Sequence, residues 1–278
     1  MTRTTVLDLQ KMKAGNQKIA MVTAYDATMA RLVDQAGVDM VLVGDSLGMV
    51  VQGQQDTLSV TLDEMIYHGR CVARGLQRAH LTVDLPFMSY QLSPRQALAS
   101  SGRLVKEAGA QSIKLEGGQR SARAIKAIVT AGIPVVGHVG LTPQSVHATS
   151  GYRVQGRGEQ AAEQLRRDAL AVQEAGAFCL VLEMVPAELA AELTEELQIP
   201  TIGIGAGAGC DGQVLVCNDL LGLDSRFQPR FVKRFASLEA VVQGAVKDYV
   251  DEVRAGTFPT PEHAFHQREP RAKLARIY

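Results

Sequence analysis

Several things this chain lacks narrow what it can be. It has no excess of either charge: Lys plus Arg and Asp plus Glu both number 29, so no global field draws it to nucleic acid or a charged membrane. Cysteine is scarce. Cys71, Cys179, Cys210 and Cys217 form neither a CxxC pair nor a zinc spacing, which predicts buried free thiols and a reducing compartment. No uninterrupted apolar run approaches the ~20 residues that span a bilayer, and MTRTTVLDLQKMKAG at the start lacks the apolar centre of a signal peptide. A cytoplasmic protein without membrane or nucleic-acid partners is the expectation.

What is present is a series of apolar runs with charge only at their carboxyl ends. Eight strand candidates can be read: KIAMVTA (18–24), MVLVGD (40–45), LTVDLP (81–86), QSIKLE (111–116), PVVGHVG (134–140), CLVLEM (179–184), PTIGIG (200–205) and QVLVCND (213–219). Such runs suit parallel strands covered on both faces. Between most of them lie helical segments, and four helix ends carry the same Ala-Gly signature, placing Gly37, Gly109, Gly132 and Gly176 at left-handed C′ positions. Thr61-Leu-Asp-Glu64 and Ser93-Pro-Arg-Gln96 read as capping boxes. Strand–helix alternation over 278 residues predicts a single-domain (β/α)8 TIM barrel over residues 1–255, with an extended tail over 256–278. The weak point is Ala206–Gly212, too short for a helix between strands seven and eight, which keeps an open doubly wound sheet as the alternative.

Two segments exceed ordinary loop lengths, Leu47–Val60 and Leu141–Gly158; each is a candidate lid or a plain surface loop. Phe231–Arg254 reads as a final helix, and Phe258, Phe265 and Tyr278 in the tail call for a partner surface. The glycine-rich GIGAGAGCDG (203–212) follows a strand but opens no full helix, so it reads as a tight connection rather than a dinucleotide site.

In a barrel the carboxyl ends of the strands share one mouth, which gathers Asp45, Ser46, Asp84, Lys114, Glu116, His138 and Glu183. Three carboxylates without a His or Cys cluster favour a magnesium-like cation; the bland alternative is that the aspartates cap helices. Lys114 and Glu116, two apart on one strand, point to one face about 7 Å apart. A lysine there suits an anion, and Ser46 either helps hold it or merely forms a turn. Glu183 ends an apolar run, a desolvated setting that suits a general base, unless Arg153 or Arg157 of the long loop pairs with it. His138 is open between substrate contact, proton relay and core histidine.

TAYDATMARLVDQAGVDMVLVGDSLGMVVQG, DLPFMSY, IKLEGG, GHVGLTPQSVH, GYRVQGR, LVLEMVP, TIGIGAG and FPTPEHAF together resemble the ketopantoate hydroxymethyltransferase family over most of residues 4–266. The resemblance implies a (β/α)8 barrel, Mg²⁺, 5,10-methylenetetrahydrofolate as co-substrate, and a homodecamer of two stacked pentameric rings. It implies Asp45, Asp84 and Glu116 as metal ligands, and Asp45, Ser46, Asp84 and Lys114 as holders of the keto acid. Glu183 would be the catalytic base, and His138 a neighbour of the substrate.

The implied reaction moves a hydroxymethyl group to 3-methyl-2-oxobutanoate through a magnesium-stabilised enolate, giving 2-dehydropantoate and tetrahydrofolate, a step of pantothenate and coenzyme A biosynthesis. The rivals are a magnesium-dependent barrel of the oxo-acid lyase or phosphonopyruvate mutase kind, against which stands the lack of a reactive-cysteine motif at a strand end, and a non-catalytic metabolite-binding barrel.

Overall fold

A computed structural model describes residues 3–148, 151–226 and 229–265. Eight parallel strands close into a barrel in sequence order: β1 (Ile19–Thr23), β2 (Met40–Val43), β3 (His80–Asp84), β4 (Ser112–Glu116), β5 (Val135–Gly140), β6 (Cys179–Glu183), β7 (Thr201–Ile204) and β8 (Gly212–Leu215). The closing pair is β1 with β8, where Ile19 meets Gly212 and Val22 meets Leu215. An open sheet is thereby excluded.

The helices are α1 (Val6–Ala14), α2 (Ala27–Ala36), α3 (Leu47–Val50), α4 (Leu62–Gly75), α5 (Pro94–Arg103), α6 (Ala122–Thr130), α7 (Glu159–Glu174), α8 (Ala187–Glu196), α9 (Cys217–Leu221) and α10 (Leu238–Ala255). Local chemistry sets their ends. Thr61 and Glu64 exchange bonds at the start of α4 as a capping box, whereas Ser93 caps α5 through the backbone of Gln96. Gly37, Gly109, Gly132 and Gly176 all have positive φ, between 77° and 98°, as expected of residues that stop a helix and reverse the chain.

Burial divides the apolar residues into two layers. Outward-facing strand residues such as Val83, Ile113 and Leu115 pack beneath the helices. Inward-facing Met21, Met40, Val136, Val181, Ile202 and Val214 fill the lower barrel, where Leu9 of α1 plugs the amino-terminal end. Polar groups low in the barrel are paired: His80 Nε2 lies 2.9 Å from Ser112 Oγ, which lies 2.8 Å from Thr82 Oγ1. The barrel is thus a packed core below and a polar mouth above.

Several boundaries differ from the sequence reading. QVLVCND is not one strand: β8 stops at Leu215 and Cys217 already begins α9, its amide donating to Thr23 Oγ1 at 2.9 Å. The last helix starts at Leu238 rather than Phe231, because Val232 is drawn into the core and Phe231 lies over Gly205. The long segment after β2 opens with α3 and buries Leu47, Thr57 and Val60, so it is docked on the barrel rather than loose. The tail is not simply extended. Pro261–His263 form a 3-10 turn, and Phe258 stacks edgewise on Tyr249 of α10 with ring centroids 5.6 Å apart. Tyr278 lies outside the described residues.

A short link over 205–211 joins β7 to β8 without a helix, and Gly212, read as part of the link, already begins β8. The four cysteines are free; Cys179, Cys210 and Cys217 are buried and Cys71 is half-buried. No helix among the described residues is long and apolar enough to cross a membrane.

Candidate active site

Strand register brings the charged residues together. Asp84 at the end of β3 sits level with Lys114 on β4, Glu116 sits level with His138 on β5, and Gly140 sits level with Glu183 on β6. Because Lys114 and Glu116 are two apart, both face the barrel axis. Asp45 and Ser46 arrive from the turn after β2. All seven residues named from the sequence therefore border one mouth.

Most of the contacts are short and buried. Lys114 Nζ lies 2.7 Å from Asp84 Oδ1. Asp84 Oδ2 accepts the backbone N–H of Asp45 at 3.2 Å, and Asp45 Oδ2 accepts the side-chain amide of Gln144 at 2.8 Å. Neither aspartate caps a helix: the residue preceding α3 is Ser46, which makes no side-chain capping bond. Ser46 Oγ instead lies 2.8 Å from the hydroxyl of buried Tyr25. Across the mouth, His138 Nε2 lies 3.1 Å from Glu183 Oε2 and its Nδ1 lies 3.6 Å from Glu116 Oε1. Among the described residues the basic side chain within 4.0 Å of the Glu183 carboxylate is His138, not Arg153 or Arg157. Glu183 keeps 17% of its side chain exposed, so it stands at the rim rather than being fully desolvated.

Gly140 makes this rim possible. It has φ +93°, and a Cβ there would lie 2.2 Å from the Glu183 carbonyl oxygen. Only glycine tolerates both that backbone and that approach.

Burial governs the electrostatics. It pushes the Asp84 carboxyl up to about 7, against the pull of Lys114. Burial also raises Asp45, with Lys114 opposing, and raises Glu116 well above the usual range, with Asp45 adding to the effect. Burial alone would lower Lys114, but Asp84, Asp45 and Glu116 together hold it above its ordinary value. His138 is lowered by burial and by Lys114, which keeps the imidazole neutral. Three buried carboxylates share one lysine, so ionising all three leaves negative charge in excess, which a divalent cation would match. Among the described residues no group of three or more His, Cys, Asp or Glu side chains stands ready-made around one metal point. A magnesium-type ion takes one or two carboxylates and completes its shell with water and substrate oxygens.

The sequence reading passed over Gln144, Tyr90 and Tyr25. Gln144 lies on the 3-10 turn Pro143–Ser145 and is buried. Tyr90, on the segment after β3, is buried with its hydroxyl 2.8 Å from Gln144 Oε1. The one available signal was the Thr-Pro-Gln turn directly after a strand. The two long loops also meet at the mouth, where Tyr152 OH lies 3.8 Å from Met49 Sδ.

Comparison with known proteins agrees with this geometry. The 3-methyl-2-oxobutanoate hydroxymethyltransferase of Syntrophotalea carbinolica is 60% identical over 263 residues, covering 95% of this chain and 98% of that protein. The enzyme of the same name from Syntrophomonas wolfei is 52% identical over the whole of both chains. Among solved structures, phosphoenolpyruvate phosphomutase from Streptomyces platensis superposes with a TM-score of 0.63 at 14% identity, covering 94% of this chain and 92% of that one. A 2,3-dimethylmalate lyase superposes with 0.60 at 17%, covering 96% and 93%. At such identities these two share the fold alone, which is the extent of the lyase and mutase rivals' claim. Residues 3–261 match the ketopantoate hydroxymethyltransferase family model, and the chain belongs to that family.

Proposed function

We propose that this enzyme transfers a hydroxymethyl group from 5,10-methylenetetrahydrofolate to 3-methyl-2-oxobutanoate, giving 2-dehydropantoate and tetrahydrofolate. The observation that carries this reading is the division of the mouth into two halves. On one side, Asp45, Asp84, Glu116 and Lys114 form a buried polar cluster; on the other, Glu183 stands at the rim against a neutral His138.

The substrate is a small 2-oxo acid with one weakly acidic hydrogen at C3. Lys114 and Ser46 orient its carboxylate, placing C3 towards Glu183. Glu183 takes the C3 proton, and His138, whose Nε2 lies 3.1 Å from Glu183 Oε2, stands beside that carboxylate. Asp45, Asp84 and Glu116 would hold Mg²⁺, directly or through water, and the bound ion would supply Lewis-acid stabilisation of negative charge on the keto-acid oxygens. C3 then bonds to the one-carbon unit as that carbon's bond to N10 of the folate breaks. Water replaces N5 on the same carbon, supplying the hydroxyl oxygen, and tetrahydrofolate leaves with the C3 proton and one water proton on its two nitrogens. The metal, the folate donor and the enolate rest on this donor set together with family membership.

The same reading includes a homo-oligomer, with the decamer as its implied size. α10 has no buried residue, and its Val241, Val242, Val246, Tyr249 and Val253 are 45–63% exposed. An apolar stripe of that length on a helix calls for a covering surface, and a second copy of the chain is the occupant that the reading supplies.

Proton NMR tests the reaction. With keto acid, Mg²⁺ and methylenetetrahydrofolate, a hydroxymethyl resonance should appear that is absent without folate and abolished by chelator. A product formed equally well in chelator, or no product from folded protein, would overturn the assignment.

A further inference from the structure

Gln144 joins parts of the site that no strand joins. Its Nε2 donates to Asp45 Oδ2 at 2.8 Å and to the Leu85 carbonyl at 2.9 Å. Its Oε1 accepts from Tyr90 OH at 2.8 Å and from Gln91 Nε2 at 3.0 Å. Its backbone N–H donates to Glu116 Oε2 at 3.1 Å. Both amide donors and both acceptor positions are thus used, which is the full capacity of the side chain.

The direction of this network is fixed. A backbone carbonyl accepts only, so the Leu85 oxygen requires the NH₂ end of Gln144 to face it, and the same NH₂ then faces Asp45. The Tyr90 hydroxyl receives the Glu116 backbone N–H at 3.2 Å and sends its own proton to the nearer acceptor, Gln144 Oε1. The order runs from Glu116 N–H through Tyr90 and Gln144 to the carboxylate of Asp45. Glu116, Tyr90, Gln144, Leu85 and Asp45 are buried, where a lost partner costs more than at the surface, whereas Gln91 is exposed.

We propose that Gln144 is a positioning residue of this site. It fixes the rotation of the Asp45 carboxylate through its side chain and of the Glu116 carboxylate through its backbone, and Tyr90 locks the amide that does so. The inference rests on the proposed reading of Asp45 and Glu116 as carboxylates that hold the cation. It adds a residue from the 3-10 turn Pro143–Ser145 after β5, acting through Asp45 and Glu116. Outer partners of this kind change metal affinity by roughly 10–100-fold when removed.

Mn²⁺ is the probe, titrated into the full-length protein and followed by electron paramagnetic resonance. Wild type, Gln144→Leu, Tyr90→Phe and the double variant are compared after thermal melts of each metal-free protein. Gln144→Leu should weaken Mn²⁺ binding about tenfold or more and alter the spectrum at saturating Mn²⁺, which mere loosening elsewhere would not do. Tyr90→Phe keeps the ring and loses one hydroxyl; it should weaken binding a few-fold, about the worth of one hydrogen bond. The double variant should be no worse than Gln144→Leu alone. Wild-type affinity and spectrum in folded Tyr90→Phe, or fully additive losses, would overturn the proposal even if Gln144→Leu fails to fold. A wild type that binds no Mn²⁺ would instead overturn the metal reading, and this inference with it.

Discussion

Lys114 Nζ and Asp84 Oδ1 stand 2.7 Å apart on neighbouring strands, with 6% and 3% of their side chains exposed. A pair this deep is weak evidence for stability but costly to break on one side, by about 3–5 kcal/mol. Lys114→Met leaves Asp84 buried without its cation. Since burial already places that carboxyl near 7 and Lys114 is what pulls it down, Asp84 in the variant holds its proton at pH 5.5. The stability loss in urea unfolding should therefore be largest at pH 8 and much smaller at pH 5.5. An equal loss at both would mean that Lys114 acts by packing alone. Keto-acid affinity should fall at either pH.

His80 provides a pH signature away from the site. Burial lowers it from 6.5 to about 4, against the help of the Thr4 carbonyl. Between those values the unfolded chain binds the extra proton, so this contribution is complete above pH 6.5 and is lost as pH falls towards 4. Its size is about 3 kcal/mol. The carboxylate cluster titrates in the same window but is shared with His80→Gln, so the difference between the two proteins isolates the histidine. The stability gap between wild type and variant should shrink by about that amount from pH 7 to pH 4. A gap constant across the range would remove His80 as its source.

Gly140 and Glu183 make a sharper steric prediction. Adding one methyl group at Gly140 drives it into the Glu183 carbonyl at a backbone angle that alanine avoids. Gly140→Ala should cost about 2 kcal/mol and, by shifting the rim carboxylate, slow the reaction on the order of 10²-fold. Normal turnover in a folded variant would show that the strand end tolerates displacement.

For assembly, light scattering of the wild type should give ten times the chain mass of 29.9 kDa. Val242→Glu with Val246→Glu, on the exposed face of α10, should lower it. A wild type at single-chain mass would contradict the homo-oligomer.

Much of this was legible in the sequence for a physical reason. A buried parallel strand allows charge only where it reaches the mouth, so Asp45, Asp84, Lys114, Glu116, His138 and Glu183 announced both the strand ends and the candidate site. Gln144 and Tyr90 were not legible. They come from irregular segments, and their burial depends on partners 26 to 99 residues away, which no local pattern encodes. The same limit explains β8: an apolar run predicts burial, which Val214 and Cys217 have, but not that the backbone turns into a helix at Cys217. Phe231 likewise looked helical by composition, while its actual place is set by the glycine it covers.

The central claim is that Glu183 removes the C3 proton of the keto acid while the cluster opposite holds the substrate. It is tested most directly by proton NMR of 3-methyl-2-oxobutanoate in D₂O with Mg²⁺, comparing wild type with Glu183→Gln. The account predicts loss of the C3 proton signal with wild type and exchange slower by about 10²–10⁴-fold in the variant, with keto-acid binding retained. Exchange at the wild-type rate in Glu183→Gln would contradict it.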